Sequence, residues 1–550
     1  MSKCCRAIAG ILSFTLFFTC RLWAQAPSTA PAINREKAVA VMKQATEFMM
    51  NRVGYKGGFV WSYTADRSRR WGEMEAFPTM MWMQGAGSNA MGQVLLDLYH
   101  ATHDEYYYQA AAQVADAVIR AQHPAGGWNY VYDLAGEESL KKWYDTIGKN
   151  GWRLEEFQHY YGNATFDDSV TTDTARFMLR MYLEKKEAKY KSSLDKAVQF
   201  VLDSQYPVGG WPQRYPPAGR FEKNGLPDYT GDITFNDEVN IGNIDLLVLC
   251  YRIFGDAKFL EAARRGMNVF VETQQPQPQA GWGLQYDPKT LKPAGARSYE
   301  PKSLVTTTTV SCINEMIRFY YLTGDRKFLA RLSEAIDWLD TTRLPPNTGG
   351  RGSHARFAEL GTNKPLFVHR RGSNVVNGQY YVDYDPANTI GHYSSFASVD
   401  TDSLRAKLKQ AMDTPPDQAI KDSPLRPDAP PIDLAKEFAN RGGAGGGRRG
   451  GFGAPATPEQ RAAQLAANVN AEGFWPAPLS TTSNPYKGDG PREIPPGDFG
   501  RTNVGDEYDT SPYGTGFGRG GQGAAVMGIS TQMYINNMRT FIAYLEIAKP

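Results

Sequence analysis

Cysteine, one-sided charge and long apolar runs are all scarce in this 550-residue chain. There are five cysteines, and three of them (Cys4, Cys5, Cys20) lie in the first 26 residues, which leaves Cys250 and Cys312. Two thiols are too few for a cysteine metal cluster or a disulfide scaffold. Both fall in apolar, helix-patterned stretches. That predicts two buried thiols, with one bridge between neighbouring helices as the alternative in an oxidising compartment. Lys plus Arg is 60 against 58 for Asp plus Glu, so the basic excess of a dedicated nucleic-acid binder is missing. No apolar run is long enough to span a bilayer as a helix. Segments alternating with period two are few, so strands should be short and peripheral. A nucleophile elbow, a phosphate loop, a dinucleotide fingerprint and a zinc motif are also absent. What is present is 41% apolar residues, enough for a sizeable core, which excludes a wholly disordered chain.

The first 26 residues have the layout of a secretory signal. Lys3 and Arg6 are followed by a mainly apolar stretch at 7–20, and Ala24-Gln25-Ala26 offers a small-x-small cleavage site. Cleavage there removes three cations (Lys3, Arg6, Arg21) and no acid, taking the balance to 57 against 58. The mature chain is expected to be secreted or periplasmic, monomeric and not bound to a membrane. Residues 27–400 are expected to form the catalytic domain. Residues 401–525 form a Pro/Gly-rich, partly disordered extension, and 526–550 a helix packing back on the main domain. The Gly/Arg-rich run at 441–453 reads as a surface insertion rather than an RNA-binding segment.

The body of the chain repeats. Segments 122–133 and 205–216 share Gln, Gly-Gly-Trp and Tyr at matching offsets. Segment 277–287 is a looser copy, and 57–63 a degenerate one. Their spacing of about 70–80 residues exceeds that of the common short solenoids. Each copy leads into two helical patterns: 89–102 with 106–122, 169–185 with 192–205, 238–254 with 257–274, and 304–324 with 326–341. A last pattern covers 528–548. The turns inside each pair are short, so partners lie antiparallel. The first helix of most pairs is the more apolar. The predicted fold is therefore mainly α: an α/α toroid of repeated helical hairpins, with short peripheral strands and long loops. Residues just before the inner helices gather at one end. They are Asp167 and Asp168, Asn236 and Asp237, and Arg297 with Glu300.

Three constellations carry chemistry. Asp167-Asp168 is echoed by Asn236-Asp237 one repeat later, after the same Thr-Phe. Such acids suit a metal site, an acid/base pair or helix N-caps. Oxygen ligands converging from two loops would suit calcium. The segment 342–371 holds Arg343, Arg351, Arg356, Lys364, Arg370, Arg371, His354 and His369 against Glu359 alone. Guanidiniums grip carboxylates with paired hydrogen bonds. The third set is aromatic: Trp128, Trp211, Trp282, Tyr130, Tyr215 and Tyr286 lie in the repeated loops. They suit either packing at repeat junctions or stacking on sugars. Together the three sets point to an acidic polysaccharide.

The segments 209–216 and 233–237, with 165–172, 296–301, 355–367 and the following Arg370, resemble in order the motifs of the pectate lyases of polysaccharide lyase family 10. The resemblance covers about residues 35–395. It implies cleavage of polygalacturonate by calcium-assisted β-elimination. By position, Arg370 resembles the base that takes the C5 proton, and Arg356 a second cation beside it. Arg297 resembles the arginine that binds the substrate carboxylate. Asp167 and Asp237 resemble calcium ligands and Asp168 a substrate contact, and Trp211, Arg214 and Arg371 are further expected substrate contacts. Ser169-Val170, Ala358 and Arg371 depart from the usual residues at their places. A glycoside hydrolase using Asp167 or Asp168 with Asp237, and a non-catalytic binder of acidic glycans, are the alternatives.

Overall fold

The computed structural model describes residues 33–150, 154–218, 222–223, 226–346, 348, 352–370, 380–390, 394–439, 456–479 and 526–548. The leader, Arg351, Arg371 and the run at 441–453 lie outside the described residues.

Helices α1 (Arg35–Phe48), α2 (Ser88–Thr102), α3 (Glu105–Arg120), α4 (Glu137–Thr146), α5 (Val170–Lys185), α6 (Ala188–Asp203), α7 (Val239–Phe254), α8 (Ala257–Thr273), α9 (Thr306–Thr323), α10 (Leu332–Thr341), α11 (Thr401–Asp413), α12 (Pro416–Ala419), α13 (Leu434–Ala439), α14 (Pro458–Asn468) and α15 (Thr531–Ile547) carry the fold. The chain is mainly helical, an α/α toroid. Helices α2–α3, α5–α6, α7–α8 and α9–α10 pack as hairpins, as the apolar periodicity predicts. Each hairpin turns on a left-handed residue: His103 (φ 57°), Lys186 (57°), Gly255 (73°) or Gly324 (73°). In three of them an aspartate follows and caps the outer element. Asp104, Asp256 and Asp325 each accept a backbone N–H at 3.0 Å.

Helices α15, α2, α5 and α7 pack against one another in succession as an inner layer, with α3, α6 and α8 outside. The segment at 528–548 divides: Met527–Ser530 is a strand pairing with Ser62–Thr64, and α15 follows. Cys250 and Cys312 are buried free thiols. Among the described residues no helix is long and apolar enough to cross a membrane.

The repeated loops explain themselves. Trp128, Trp211 and Trp282 are all 0% exposed. Each indole N–H donates to a carbonyl near the end of the preceding outer helix: Val118, Val201 and Phe270, at 2.8, 2.8 and 2.9 Å. Each Trp backbone N–H donates to a side chain in the first turn of the following inner helix: Thr171, Asn240 or Thr309. A glutamine ties each loop to the next repeat. Gln122 and Gln205 do so through their Nε2 atoms, bonding Gly126 and Ser193, and Gly209 and Ala262. In the third copy this is Gln274, bonding Ala280 and Arg331, and not Gln277. Gly126 (φ 114°) and Gly209 (φ 110°) must be glycine. A Cβ there would stand 2.2 Å from the Lys196 carbonyl oxygen or 2.0 Å from that of Arg265.

Trp211 is therefore a packing residue and offers no face to a sugar, which corrects its assignment as a substrate contact. Trp211→Ala should cost about 3–5 kcal/mol of stability, the usual loss for a fully buried large aromatic. Urea unfolding followed by circular dichroism checks this.

Candidate active site

The acids are positioned by strand pairing between successive repeats. Thr165 pairs with Arg214, and Phe166 N–H donates to the Gln213 carbonyl at 2.9 Å. One repeat on, Thr234 pairs with Gln285, and Phe235 N–H donates to the Leu284 carbonyl at 2.8 Å. Phe166 packs on Phe200 and Phe235 on Phe270, which anchors both loops. The chain then makes two successive left-handed residues before each inner helix. They are Asp168 and Ser169 (φ 49° and 59°), and Asp237 and Glu238 (φ 52° and 61°). Two adjacent non-glycine residues in this region are strained. The turn also withdraws the carboxylates from capping, since α5 and α7 begin without a side-chain cap.

Arg297 joins the acids. It is 4% exposed. Its Nη2 donates to Asp167 Oδ2 at 3.0 Å and its Nη1 to Asp237 Oδ2 at 3.4 Å. Nε donates to Glu156 Oε2 at 3.3 Å, and Nη1 also meets Glu300 at 3.4 Å. Burial works against the guanidinium charge, but Glu156 and Glu300 outweigh it and hold the pKa well above the ordinary arginine value. The sequence places Arg297 on a substrate carboxylate. In the structure four protein carboxylates surround it. Glu155 accepts from the Ser298 backbone N–H at 3.1 Å and fixes the same loop. Glu155 and Glu156 stand in a short helical turn outside every recognisable motif, so nothing in the sequence marks them.

Tyr130 OH donates to Asp167 Oδ2. Burial first, and then the Asp167 charge, raise the phenol pKa well above its usual value, so Tyr130 is the donor. Burial and the Asp237 charge raise Asp167 to about 6, against the pull of Arg297. Asp168 opens to solvent on one side and accepts from Gln84 Nε2 at 2.7 Å on the other. Burial of that inner side and the charges of Asp167, Asp237 and Glu73 push its carboxyl well above the carboxylate range. Behind it, inside the toroid, Asn89, Asp173, Arg176 and Arg539 line a chamber that Glu437 and Phe438 of α13 close.

The basic segment forms an antiparallel sheet. Its strands are Leu304–Val305, Phe357–Ala358, Pro365–Arg370 and Tyr380–Asp383, and the first runs straight into α9. Arg370 ends the third strand, opposite Tyr380, at 1% exposure. The Tyr380 ring lies 5.1 Å from that of Tyr299, two residues beyond Arg297. The strand bearing Arg370 therefore lies against the loop that carries Arg297. Arg356 is partly exposed. Its Nε donates to the Ser394 carbonyl at 2.8 Å, and its own carbonyl accepts from Thr306 N–H at the start of α9. Arg214 is 1% exposed and lies behind Tyr130 rather than at the mouth.

Asp167 Oδ1 and Asn236 Oδ1 are buried oxygens with no hydrogen-bond partner, and Asp237 adds a carboxylate beside them. Oxygen donors of this kind fit calcium. Among the described residues no group of three or more His, Cys, Asp or Glu side chains gathers as a metal site. Calcium bound here would complete its shell with substrate and water.

A separate acid answers to pH. Burial, then the charges of Asp287 and Asp228, raise Asp232 to about 7. A carboxyl raised by folding stabilises the fold below its unfolded value of about 3.9 and loses that contribution as pH rises through about 7. Asp232→Asn should therefore stabilise the protein at pH 8 by on the order of 1 kcal/mol, allowing for partial exposure, and not below pH 4. Thermal melts at the two pH values check it.

A family match over part of the chain supports a polysaccharide lyase built on an α/α toroid. Residues 141–385 match the pectic acid lyase family, and this stretch holds the site's side chains from Glu155 to Arg370. The match spans a little under half of the chain. Among solved structures, the chain is similar to a family 10 polysaccharide lyase from Cellvibrio cellulosa. The identity is 19% and the TM-score 0.39, covering 59% of this chain and 97% of that one. A mutant of the Cellvibrio cellulosa family 10 lyase, in complex with trigalacturonic acid, is similar at 18% identity and TM-score 0.38, covering 59% and 98%. A family 76 glycoside hydrolase (a mannosidase) from Bacteroides thetaiotaomicron is similar at 10% identity and TM-score 0.33, covering 56% and 73%. No curated protein matches the chain.

Proposed function

We propose that the protein is a pectate lyase that cuts polygalacturonate by β-elimination. Each sugar of this polymer carries a carboxylate next to C5. Once that carboxylate is neutralised, the C5 proton becomes acidic enough to remove. Arg370 takes the proton. The C5–H electron pair becomes the C4=C5 double bond, the C4–O bond to the next sugar breaks, and the departing oxygen takes a proton from water. Arg356, partly exposed, would supply a cation for the negative charge that builds up. Arg297 keeps Asp167 and Asp237 together. A calcium ion held by Asp167, Asp237 and Asn236 would supply the charge that neutralises the substrate carboxylate.

The observation that carries this reading is the burial of Arg370 beside the Arg297 loop. An arginine acts as a base only where its charged form is disfavoured, and burial works in that direction. The hydrolase reading leaves that arginine idle. It also needs Asp167 or Asp168 with Asp237 as independent acid and base, whereas Arg297 ties Asp167 and Asp237. Because the unperturbed arginine pKa exceeds about 12, kcat/KM should climb about tenfold or more from pH 7 to 10. Steady-state rates across that range check this, and a flat profile would count against an arginine base. On the same reading the protein is exported, loses its first 26 residues and acts as a monomer. Intact mass and light scattering of the exported protein test those points.

A further inference from the structure

Arg214 sits in a cradle that does not serve as a substrate contact. Among the described residues its guanidinium has no carboxylate partner. Nη1 donates to Asn129 Oδ1 at 3.1 Å and Asn163 Oδ1 at 3.3 Å, while Nε and Nη2 make no hydrogen bond. Both amide oxygens are aimed at it by the other end of their side chains. Asn129 Nδ2 donates to Tyr144 OH at 2.9 Å, and Asn163 Nδ2 to the Pro216 carbonyl at 2.8 Å. The guanidinium lies over two rings, 4.4 Å from the centre of Tyr161 and 5.1 Å from that of Tyr130. A buried charge held only by amides and rings is costly, so a packing role alone would be met better by an apolar residue. A cation over an aromatic face draws on the ring electrons, and in a low-dielectric network this strengthens the phenol as a donor. The Tyr130 phenol donates to Asp167 Oδ2, and Asp167 Oδ1 has no partner.

We infer that Arg214 is a positioning residue that works through Tyr130 to fix the Asp167 carboxylate, leaving Oδ1 for the reaction. The inference rests on the lyase reading. It corrects the assignment of Arg214 as a substrate contact, since the guanidinium is walled in by Asn129, Asn163, Tyr130 and Tyr161.

A double-mutant cycle tests it. Arg214→Met and Tyr130→Phe should each lower kcat on polygalacturonate by about 10–100-fold, as loss of an orienting partner does, with KM within about twofold. The double variant should fall no more than about threefold below the worse single one, because both cut the same relay. Arg214→Lys, which keeps a cation over the ring, should recover most of the loss. Multiplicative losses, or a lysine variant as poor as the methionine one, would overturn the inference. So would a lowered melting temperature with kcat unchanged. If the wild type does not cut polygalacturonate, the lyase reading fails on its own. The same cycle is then read on urea midpoints: non-additive shifts retain the Arg214–Tyr130 relay, and additive shifts refute it.

Discussion

Arg370→Ala is expected to lower kcat on polygalacturonate by about 10²–10⁴-fold, the range for removal of a positioned general base. Arg370 closes the strand Pro365–Arg370, whose pairing with Tyr380–Asp383 sets its height above the Arg297 loop. The backbone hydrogen bonds of that ladder do not depend on the side chain, so circular dichroism should remain that of a folded protein. Truncation of a buried side chain also costs stability, and Arg370→Lys controls for this. Lysine fills much of the same space and has an unperturbed pKa of about 10.4, lower than that of arginine. It should retain measurable turnover with the pH profile displaced to lower pH. A cation needed only for charge stabilisation would give the lysine variant an unmoved profile. Full turnover in the alanine variant would remove Arg370 from the role of base.

The second large effect separates two acids by burial. Asp167 and Asp237 both meet Arg297, but their side chains are 1% and 25% exposed. Asp167 is also the acceptor of the buried Tyr130 phenol, and orphaning a buried donor costs about 1–3 kcal/mol. Asp167→Ala should therefore lose both turnover and about that much stability. Asp237→Asn keeps Arg297 with three carboxylates and leaves a partly exposed amide. It should stay folded while the calcium concentration for half-maximal rate rises about tenfold or more, the effect of weakening a ligand set. Urea unfolding and a calcium titration of the rate measure the two. Equal stability losses, with the calcium dependence unmoved in Asp237→Asn, would refute this division of roles.

The hairpins were legible because three- and four-residue apolar spacing, interrupted by Gly-Asp pairs at 255–256 and 324–325, has few other readings. The gathering of Asp167, Asp237, Arg297 and Glu300 at one mouth followed from the repeat itself. Residue type could not say whether Trp211 packs or stacks, since an indole suits both. Only the carbonyl of Val201 within 2.8 Å of its N–H decides for packing. The third loop was read one turn too late, at Gln277. The extra residues around the Gly281–Trp282 pair shift the motif away from Gln274, which makes the tie. Capping was a fair reading of Asp168 and Asp237. The paired left-handed residues that displace them from the helix starts leave no mark in composition. Glu155 and Glu156 come from a non-repeated loop and meet Arg297 and Ser298 across more than 140 residues of chain. No local pattern could pair them.

Elimination leaves an unsaturated sugar end, and hydrolysis does not. The most direct measurement is ultraviolet absorbance of the full mature chain with polygalacturonate, with and without a calcium chelator. Absorbance should rise as unsaturated ends form, stop with chelator and return when calcium is restored. New reducing ends without that absorbance would contradict elimination.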